Sequence, residues 1–230
     1  MAFIRKQLLG EVTGTLGDTI FRKRYGKTVV YSRPSKYRIS KSKAAKQGRN
    51  SFALSVAFAK SVNSIPELKQ IWYLAKLQGV VAYNRVIKYN KRFIINDSLT
   101  TKNIITPPGV DLFISDLQFS ENILNFKIDL NHTPLKMLLQ VPFHLSYLLY
   151  FYNPINTIDK PFEIVSQTNI IESIPSSDFI EVEIKLKIVA QQIISEYKNI
   201  IIYLAGSKFS GKKKEIFWTN TVATELQLGK

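Results

Sequence analysis

The chain has 230 residues and no cysteine, which excludes a disulfide framework, cysteine-ligated zinc and thiol catalysis. Its hydrophobic content of 45% and aromatic content of 12% exclude a disordered basic tail and indicate one large folded domain or two small ones. The net charge of +15 is unevenly placed: residues 1–92 carry 20 Lys or Arg against three acidic residues, and residues 93–230 carry 12 against 14.

The first predicted element is a β-hairpin in residues 17–34. Two segments rich in β-branched, aromatic and long basic residues, GDTIFRKRY and TVVYSRP, flank Gly26-Lys27, which we expect to form the turn. Alternation along the first strand places Phe21, Lys23 and Tyr25 on one face and the intervening residues, with Arg22 and Arg24, on the other. Because both faces carry cations, neither is expected to enter an apolar core without neutralising partners.

Three helical segments are predicted after the hairpin. The first covers residues 42–63, with Phe52, Val56 and Ala59 on its apolar side and three cations in its first half: Lys43, Lys46 and Arg49. The second follows Ser64, whose hydroxyl we expect to cap it while Glu67 closes a capping box. Residues 80–92 are predicted to form a third, basic helix.

The remainder of the chain has the pattern of antiparallel strands. Residues 96–109, NDSLTTKNIITPPG, are polar and turn-forming, and we expect them to link two domains. After them, ILNFKIDL and FIEVEIKLKI alternate between apolar and polar residues, as half-buried strands do. Six more segments have strand composition: VDLFISDLQF, LKMLLQV, HLSYLLYFY, FEIVSQT, NIIIYLAG and KEIFWTNT.

These elements predict an α+β chain with two domains. Residues 1–95 are expected to form a basic hairpin-and-helix module, and residues 96–109 a linker. Residues 110–230 are expected to form an antiparallel β-sandwich of immunoglobulin or fibronectin type, with a barrel as the alternative.

Motifs for catalysis and metal binding are weak. GSKFSGKKK, residues 206–214, matches a phosphate loop through Lys212, but Lys213 stands where a Ser or Thr hydroxyl binds magnesium, and a strand follows where a helix is needed. A basic loop between two strands is the favoured interpretation. The two histidines, His132 and His144, lack metal-ligand spacing. We therefore expect a protein that is not an enzyme and has no cofactor, metal site or small-molecule substrate.

The basic segment 21–49 is the strongest functional signal, because it contains eleven Lys or Arg and no Asp or Glu. Cations at this density repel one another unless an anionic partner binds there. We predict binding of nucleic acid or another polyanion, with phosphate contacts from ten residues: Arg22, Lys23, Arg24, Lys27, Arg33, Lys36, Arg38, Lys43, Lys46 and Arg49. Two rings in the same segment are candidate stacking positions: Tyr25 and Tyr31.

Four short patterns mark the N-terminal stretch: Gly14-x-x-Gly17-Asp18, the hairpin with Gly26-Lys27, Ser32-Arg33-Pro34, and Arg49-x-x-Phe52-Ala53. With these patterns, about 50 residues resemble an uncharacterised family of small basic bacterial and phage-associated proteins. The resemblance implies a basic hairpin and helix ahead of a β-rich domain, and it carries over no catalytic residues.

The alternative function is that of a structural subunit in a phage virion, a filament or a similar assembly. A hairpin ahead of a sandwich is able to dock on a neighbouring copy and extend its sheet, which makes a homo-oligomer the alternative partner. Neither a signal peptide nor an apolar span of transmembrane length is visible. We therefore expect a cytoplasmic protein, or a component of a virion or other particle, that has no membrane partner.

Overall fold

The chain divides into two compact units, Met1–Ala45 and Lys46–Lys230. The computed structural model describes residues 2–3, 12–33, 39–75, 77–79, 81–120, 123–131, 142–156, 160–173, 178–186, 193–209 and 216–228. The division lies near the start of the first helix and not in residues 96–109, where we expected the linker. The reason is that the helices after residue 45 share a core with the C-terminal strands.

The N-terminal unit contains a four-stranded antiparallel sheet. Its strands are β1 (Ala2–Phe3), β2 (Gly14–Leu16), β3 (Thr19–Arg24) and β4 (Lys27–Ser32), in the order β1-β4-β3-β2. The predicted hairpin is present as β3 and β4, but its turn is formed by Tyr25 and Gly26, one residue earlier than predicted. Both turn residues have positive φ, 52° and 73°, as a type I′ turn requires. The backbone twist of a type I′ turn matches that of the flanking strands. Lys27, which we expected in the turn, instead pairs with Arg24 in the β3–β4 ladder.

Three helices follow: α1 (Lys43–Ser64), α2 (Pro66–Leu74) and α3 (Ala82–Asn90), which continues as a single 3-10 turn, Lys91–Phe93. The Ser42 hydroxyl caps α1 by accepting a hydrogen bond from the Ala45 backbone N–H at 3.2 Å. The buried side of α1 contains Leu54, Ser55, Phe58, Ala59 and Val62, whereas Phe52 is exposed. Among the described residues, no helix is both long and apolar enough to span a membrane.

The start of α2 differs from the predicted capping box. Ile65 occupies the N-cap position without a side-chain hydrogen bond, and Pro66 begins the helix, since its fixed φ suits the first helical position and its missing N–H is not needed there. The Ser64 hydroxyl instead belongs to the end of α1, where it donates to the Ser61 carbonyl at 2.7 Å. Glu67 faces the sheet, with its carboxylate 3.3 Å from Nδ1 of His144.

The remaining strands form two antiparallel sheets. The smaller contains β5 (Ile114–Ser120), β6 (Ile123–Asp129) and β9 (Phe179–Lys185), in the order β5-β6-β9. The larger contains β7 (Phe143–Pro154), β8 (Phe162–Ile171), β10 (Tyr197–Phe209), β11 (Ile216–Trp218) and β12 (Val222–Gln227), in the order β11-β10-β7-β8, with β12 also paired to β10. The predicted antiparallel strands are thus largely confirmed, while the strand predicted at residues 135–141 lies outside the described residues.

The long strands β7 and β10 are buried on both faces. One set of their alternate side chains, including Leu145, Leu149 and Ile202, shares a core with the inward residues of β6 and β9. The other set, including Leu148, Tyr150 and Tyr203, shares a second core with all three helices. This double burial accounts for the nearly unbroken apolar runs of β7 and β10, since a strand with one solvated face alternates instead, as β9 does.

Residues 99–106 are part of the second core and are not a spacer, which corrects the predicted linker. Leu99 and Ile105 are buried, and the Ile105 carbonyl accepts a hydrogen bond from the indole N–H of Trp72 at 2.7 Å. The buried Asn90 side chain binds this segment through its Oδ1, which accepts the Ile104 backbone N–H at 2.7 Å. The Tyr203 hydroxyl donates to the Thr100 carbonyl at 2.8 Å. Long-range hydrogen bonds to backbone groups therefore hold this segment in the fold, although its polar and turn-forming residues resemble those of a linker.

Arg85 closes the C-terminal end of α2. Its Nη1 lies 2.7 Å from the carbonyl oxygens of Trp72 and Tyr73 and 2.8 Å from that of Ala75. Its Nε donates to the Gly79 carbonyl at 3.0 Å. One guanidinium on α3 thus binds carbonyls that have no partner within their own helix, and its charge complements the negative end of that helix.

We predict that Arg85→Met lowers the free energy of unfolding by about 1–3 kcal/mol, because the variant keeps the apolar stem and leaves these carbonyls without their charged donor. Urea denaturation followed by far-UV circular dichroism measures the change. Lys91→Met, on the exposed turn that follows α3, removes the same charge and should change the stability little. Equal destabilisation by both variants would contradict the role of Arg85.

The larger sheet also buries tyrosine hydroxyls, which makes its stability sensitive to alkaline pH. Desolvation raises the pKa of Tyr147 from 10.0 to about 12, and burial raises the pKa values of Tyr150 and Tyr203 as well. Because the folded state binds the phenolic proton more tightly than the unfolded chain does, proton binding contributes to stability. This contribution is complete below the unfolded pKa of about 10 and is lost as the pH rises through the folded value.

We predict that the free energy of unfolding falls as the pH rises from 10.0 to about 12, the interval between the two pKa values of Tyr147. Tyr147→Phe removes one titrating hydroxyl and should make this fall shallower. Urea denaturation at a series of alkaline pH values measures both slopes, and tyrosinate absorbance reports ionisation. Identical slopes for the two proteins would contradict the assignment to Tyr147.

Candidate nucleic-acid interface

The hairpin β3–β4 places three cations on one face. Arg22 pairs with Val29 and Arg24 with Lys27, and directly opposed residues of an antiparallel pair point to the same side. Arg22, Arg24 and Lys27 therefore share a face at the turn end of the ribbon. Lys23 pairs with Thr28 and points to the other face, so the predicted alternation of β3 is retained.

Arg24 and Lys27 form a like-charged cross-strand pair next to the turn. Directly opposed like charges destabilise a sheet, and this residue pair is the one closest to the turn in the β3–β4 ladder. Both side chains and that of Arg22 are exposed. Within the part of the chain that the structure describes, no carboxylate oxygen lies within 4.0 Å of these three cations. The face thus presents positive charge to solvent.

Tyr25 lies at the tip of the ribbon, between these opposed cations. Its side chain is 52% exposed, and the Arg24 guanidinium carbon lies 5.8 Å from the centre of its ring. Tyr31 pairs with Ile20 and is half-buried on the same face as Arg22. The predicted stacking residues therefore differ in accessibility, and Tyr25 is the more exposed of the two.

The remaining predicted contact residues fall into three groups. Arg33 is exposed just after β4, and its backbone N–H donates to the Asp18 carbonyl at 2.6 Å. Lys36 and Arg38 lie outside the described residues. Three exposed cations occupy the first two turns of α1, at a spacing that places them along one side of the helix: Lys43, Lys46 and Arg49.

The first turn of α1 carries positive charge where a helix favours negative charge. It contains no acidic residue, and Lys43 and Lys46 lie near the positive end of the helix macrodipole. A bound anion would offset this repulsion. The helical cations and those of the hairpin are two separate groups on two elements.

The phosphate-loop pattern has a structural explanation at its first glycine. Gly206 lies within β10, and a Cβ atom at this position would lie 2.1 Å from Cζ of Phe143, so core packing requires a glycine there. Phe209 pairs with Ile216 across the antiparallel strands β10 and β11, so a strand follows the loop, as expected. Residues 210–215, including Lys212, lie outside the described residues.

His144 lies in a packed position, and the carboxylates of Glu181 and Glu183 lie on an exposed face of the sheet. His144 packs edge-on against the Phe209 ring, 5.6 Å between centroids, and faces Glu67, while His132 lies outside the described residues. No group of three or more metal-ligating His, Asp or Glu residues occurs among the described residues. Glu181 and Glu183 lie on the exposed face of β9, as its alternation predicts.

Two open grooves follow the exposed side of β9. They measure about 570 and 560 Å³, and both are lined by Glu181 and Glu183, with Glu172 added in the larger. Positive charge partly offsets these acids, since Lys185 lies 3.7 Å from Glu183 and Lys127 lies 3.2 Å from Asp116. The grooves nevertheless concentrate the acidic residues of the smaller sheet on one side.

Comparison with known proteins gives no assignment: no family model matches the chain, and neither the curated proteins nor the solved structures contain a match. The family resemblance of the N-terminal stretch stays a prediction. A function is therefore inferred from the chemistry of the described side chains.

Proposed function

We propose that the protein binds nucleic acid through the phosphate backbone, using the hairpin cations and, as a second group, the cations at the start of α1. The observation that carries this proposal is the exposed face formed by Arg22, Arg24 and Lys27, in which two cations oppose each other directly. A phosphate near this face would replace repulsion with attraction. The like-charge repulsion that destabilises the free hairpin would thus be relieved in the complex, which would increase the affinity for the polymer.

A polymer suits this arrangement better than a single small anion. The cations are distributed along a ribbon and along a helix, so many weak contacts with a repeating charge add up. The contacts involve charge and carry no base-edge recognition, so binding should be largely independent of sequence. Such a protein acts by binding and not by catalysis, in the cytoplasm or within a particle that contains nucleic acid.

We infer that the three-stranded and five-stranded sheets are the two layers of a β-sandwich of immunoglobulin or fibronectin type. The shared core of β6, β9, β7 and β10 supports this inference. The helices then form an added layer on the outer face of β7 and β10. In this proposal the sandwich is a stable support, and the N-terminal resemblance to phage-associated proteins is compatible with it.

We predict that the triple variant Arg22→Gln, Arg24→Gln, Lys27→Gln weakens binding to short DNA and RNA. If each cation contacts one phosphate, the slope of log affinity against log salt should become shallower by roughly 2.7 for duplex DNA, at about 0.9 per contact, and by roughly 2.1 for single strands, at about 0.7 per contact. Fluorescence anisotropy over a range of NaCl concentrations measures this slope. The corresponding triple Lys43→Gln, Lys46→Gln, Arg49→Gln measures the contribution of the helix.

The matched control removes the same charge from elsewhere: Lys60→Gln, Lys69→Gln, Lys102→Gln, three exposed lysines of the second unit. This control should retain the wild-type salt slope. Equal weakening by the control and the hairpin triple would show that net charge alone attracts the polymer, and the proposed surface would be wrong.

A second candidate function, a self-assembling structural subunit, is favoured by the acidic grooves beside β9. Glu172, Glu181 and Glu183 offer negative charge of the kind that the basic hairpin of a neighbouring copy would need. Such a contact joins two different surfaces and therefore generates rings or filaments. Leu16, 74% exposed on the edge strand β2, would be covered in such an assembly.

For the assembly we predict oligomers at low salt that dissociate in Glu181→Lys, because the variant places a cation in the groove. Analytical ultracentrifugation measures the distribution of sizes. Glu196→Lys makes the same charge change at an exposed position that does not line the grooves, and it should leave the oligomers intact. A monomer at low salt in the wild-type protein would exclude this candidate.

A further inference from the structure

Tyr25 has a backbone conformation that its residue type disfavours. Five described non-glycine residues have positive φ, and four of them are Asn or Asp: Asn96, Asp97, Asp116 and Asn153. Asn and Asp tolerate this left-handed region better than aromatic residues do, because a short polar side chain can bond to the local backbone. Tyr25, with φ of 52°, is the one described residue that departs from this rule.

A second tight turn in the same chain shows the usual solution. Ile95 and Ser98 form a bridge around Asn96 and Asp97, whose φ values are 50° and 59°. There the left-handed residue also binds its surroundings, since the Asp97 carboxylate accepts a hydrogen bond from the Ser51 hydroxyl at 2.7 Å. Type I′ turns favour Asn-Gly, so Asn at position 25 would suit the hairpin better than the tyrosine that is present.

The position of the ring indicates what the tyrosine contributes. Tyr25 lies in the turn at the end of the ribbon and is half-exposed, with the Arg24 guanidinium over its ring and the Arg24–Lys27 pair next to the turn. A flat aromatic surface between two cations matches the two chemical parts of a nucleotide, since the ring stacks on a base and the cations contact the adjoining phosphates. A strained residue at an exposed tip is a feature typical of binding sites.

We propose that Tyr25 is a base-stacking residue and that the preferred partner of the hairpin is single-stranded nucleic acid. In a duplex each base is covered by its neighbours, and only its edges are accessible in the grooves. An unpaired base can leave the stack and expose its face to an aromatic ring. This inference rests on the proposed function of the same hairpin, and it adds the strandedness of the polymer and the residue that determines it.

Tyr25→Asn is the decisive variant, because it removes the ring and improves the turn. Amide hydrogen exchange should therefore show a hairpin at least as stable as in the wild-type protein. Affinity for a single-stranded oligonucleotide should fall about tenfold, and affinity for a duplex of the same sequence should change less than about twofold. Tyr25→Phe and Tyr25→Trp keep a stacking surface and should retain single-strand affinity.

Stacking also has a readout that does not depend on affinity. An oligonucleotide with a fluorescent base analogue should lose fluorescence when it binds the wild-type protein or Tyr25→Phe, and should keep it at saturation with Tyr25→Asn. Separate DNA and RNA oligonucleotides show which backbone is preferred, while the ring contact is common to both.

The outcomes separate this inference from the proposed function. If Tyr25→Asn binds single strands as tightly as the wild-type protein, or loses single-strand and duplex affinity equally, Tyr25 does not stack and the inference is wrong. The phosphate-binding function would still hold in that case, provided that the hairpin triple variant loses affinity. If that triple binds like the wild-type protein, the proposed function itself fails. A wild-type preference for duplex would overturn the inference alone.

Discussion

The strands β7 and β10 determine the architecture of the second unit, because their side chains are apolar on both faces and each face needs a cover. The three-stranded sheet covers one face, and α1, α2 and α3 cover the other. Exposure of either face to water would leave a large apolar surface, which soluble proteins bury. The helices are therefore an integral layer of this unit, and residues 99–106 are held in place between the helices and the larger sheet.

The two units differ in how they satisfy their polar groups. In the second unit, several buried or partly buried polar groups have internal partners, as Arg85 has at the end of α2 and Asn90 has at the Ile104 amide. In the first unit, Arg22, Arg24 and Lys27 are exposed on one face of the hairpin, and Arg24 and Lys27 oppose each other across the ladder. Exposed cations without a carboxylate partner among the described residues thus include three on the hairpin. This contrast favours the hairpin as the first of the two cation groups in the proposed function.

Much of this organisation could be predicted from local sequence patterns, and the errors have identifiable physical causes. Strict alternation predicted β9 because one of its faces is solvated, and β-branched and basic residues predicted the β3–β4 hairpin. The sequence predicts the turn one residue late because Gly26 accepts positive φ at either central position, and the observed turn requires Tyr25 in a conformation that propensity disfavours. The polar, turn-forming residues of 96–109 predict a linker, because the partners that hold the segment, such as Trp72 and Tyr203, are distant in sequence. An amphipathic helix also does not specify which apolar surface covers it.

Two unfavourable features of different origin meet at the tip of the hairpin. The strain at Tyr25 comes from local sterics and is independent of salt, whereas the repulsion between Arg24 and Lys27 is electrostatic and is screened by salt. Neither feature assists folding, and substitution of a single residue would remove either one. Departures of this kind from local preference are expected at functional sites. In the proposed complex, a nucleotide would relieve the electrostatic repulsion through its phosphate and would contact the strained ring through its base, so one kind of ligand would account for both features.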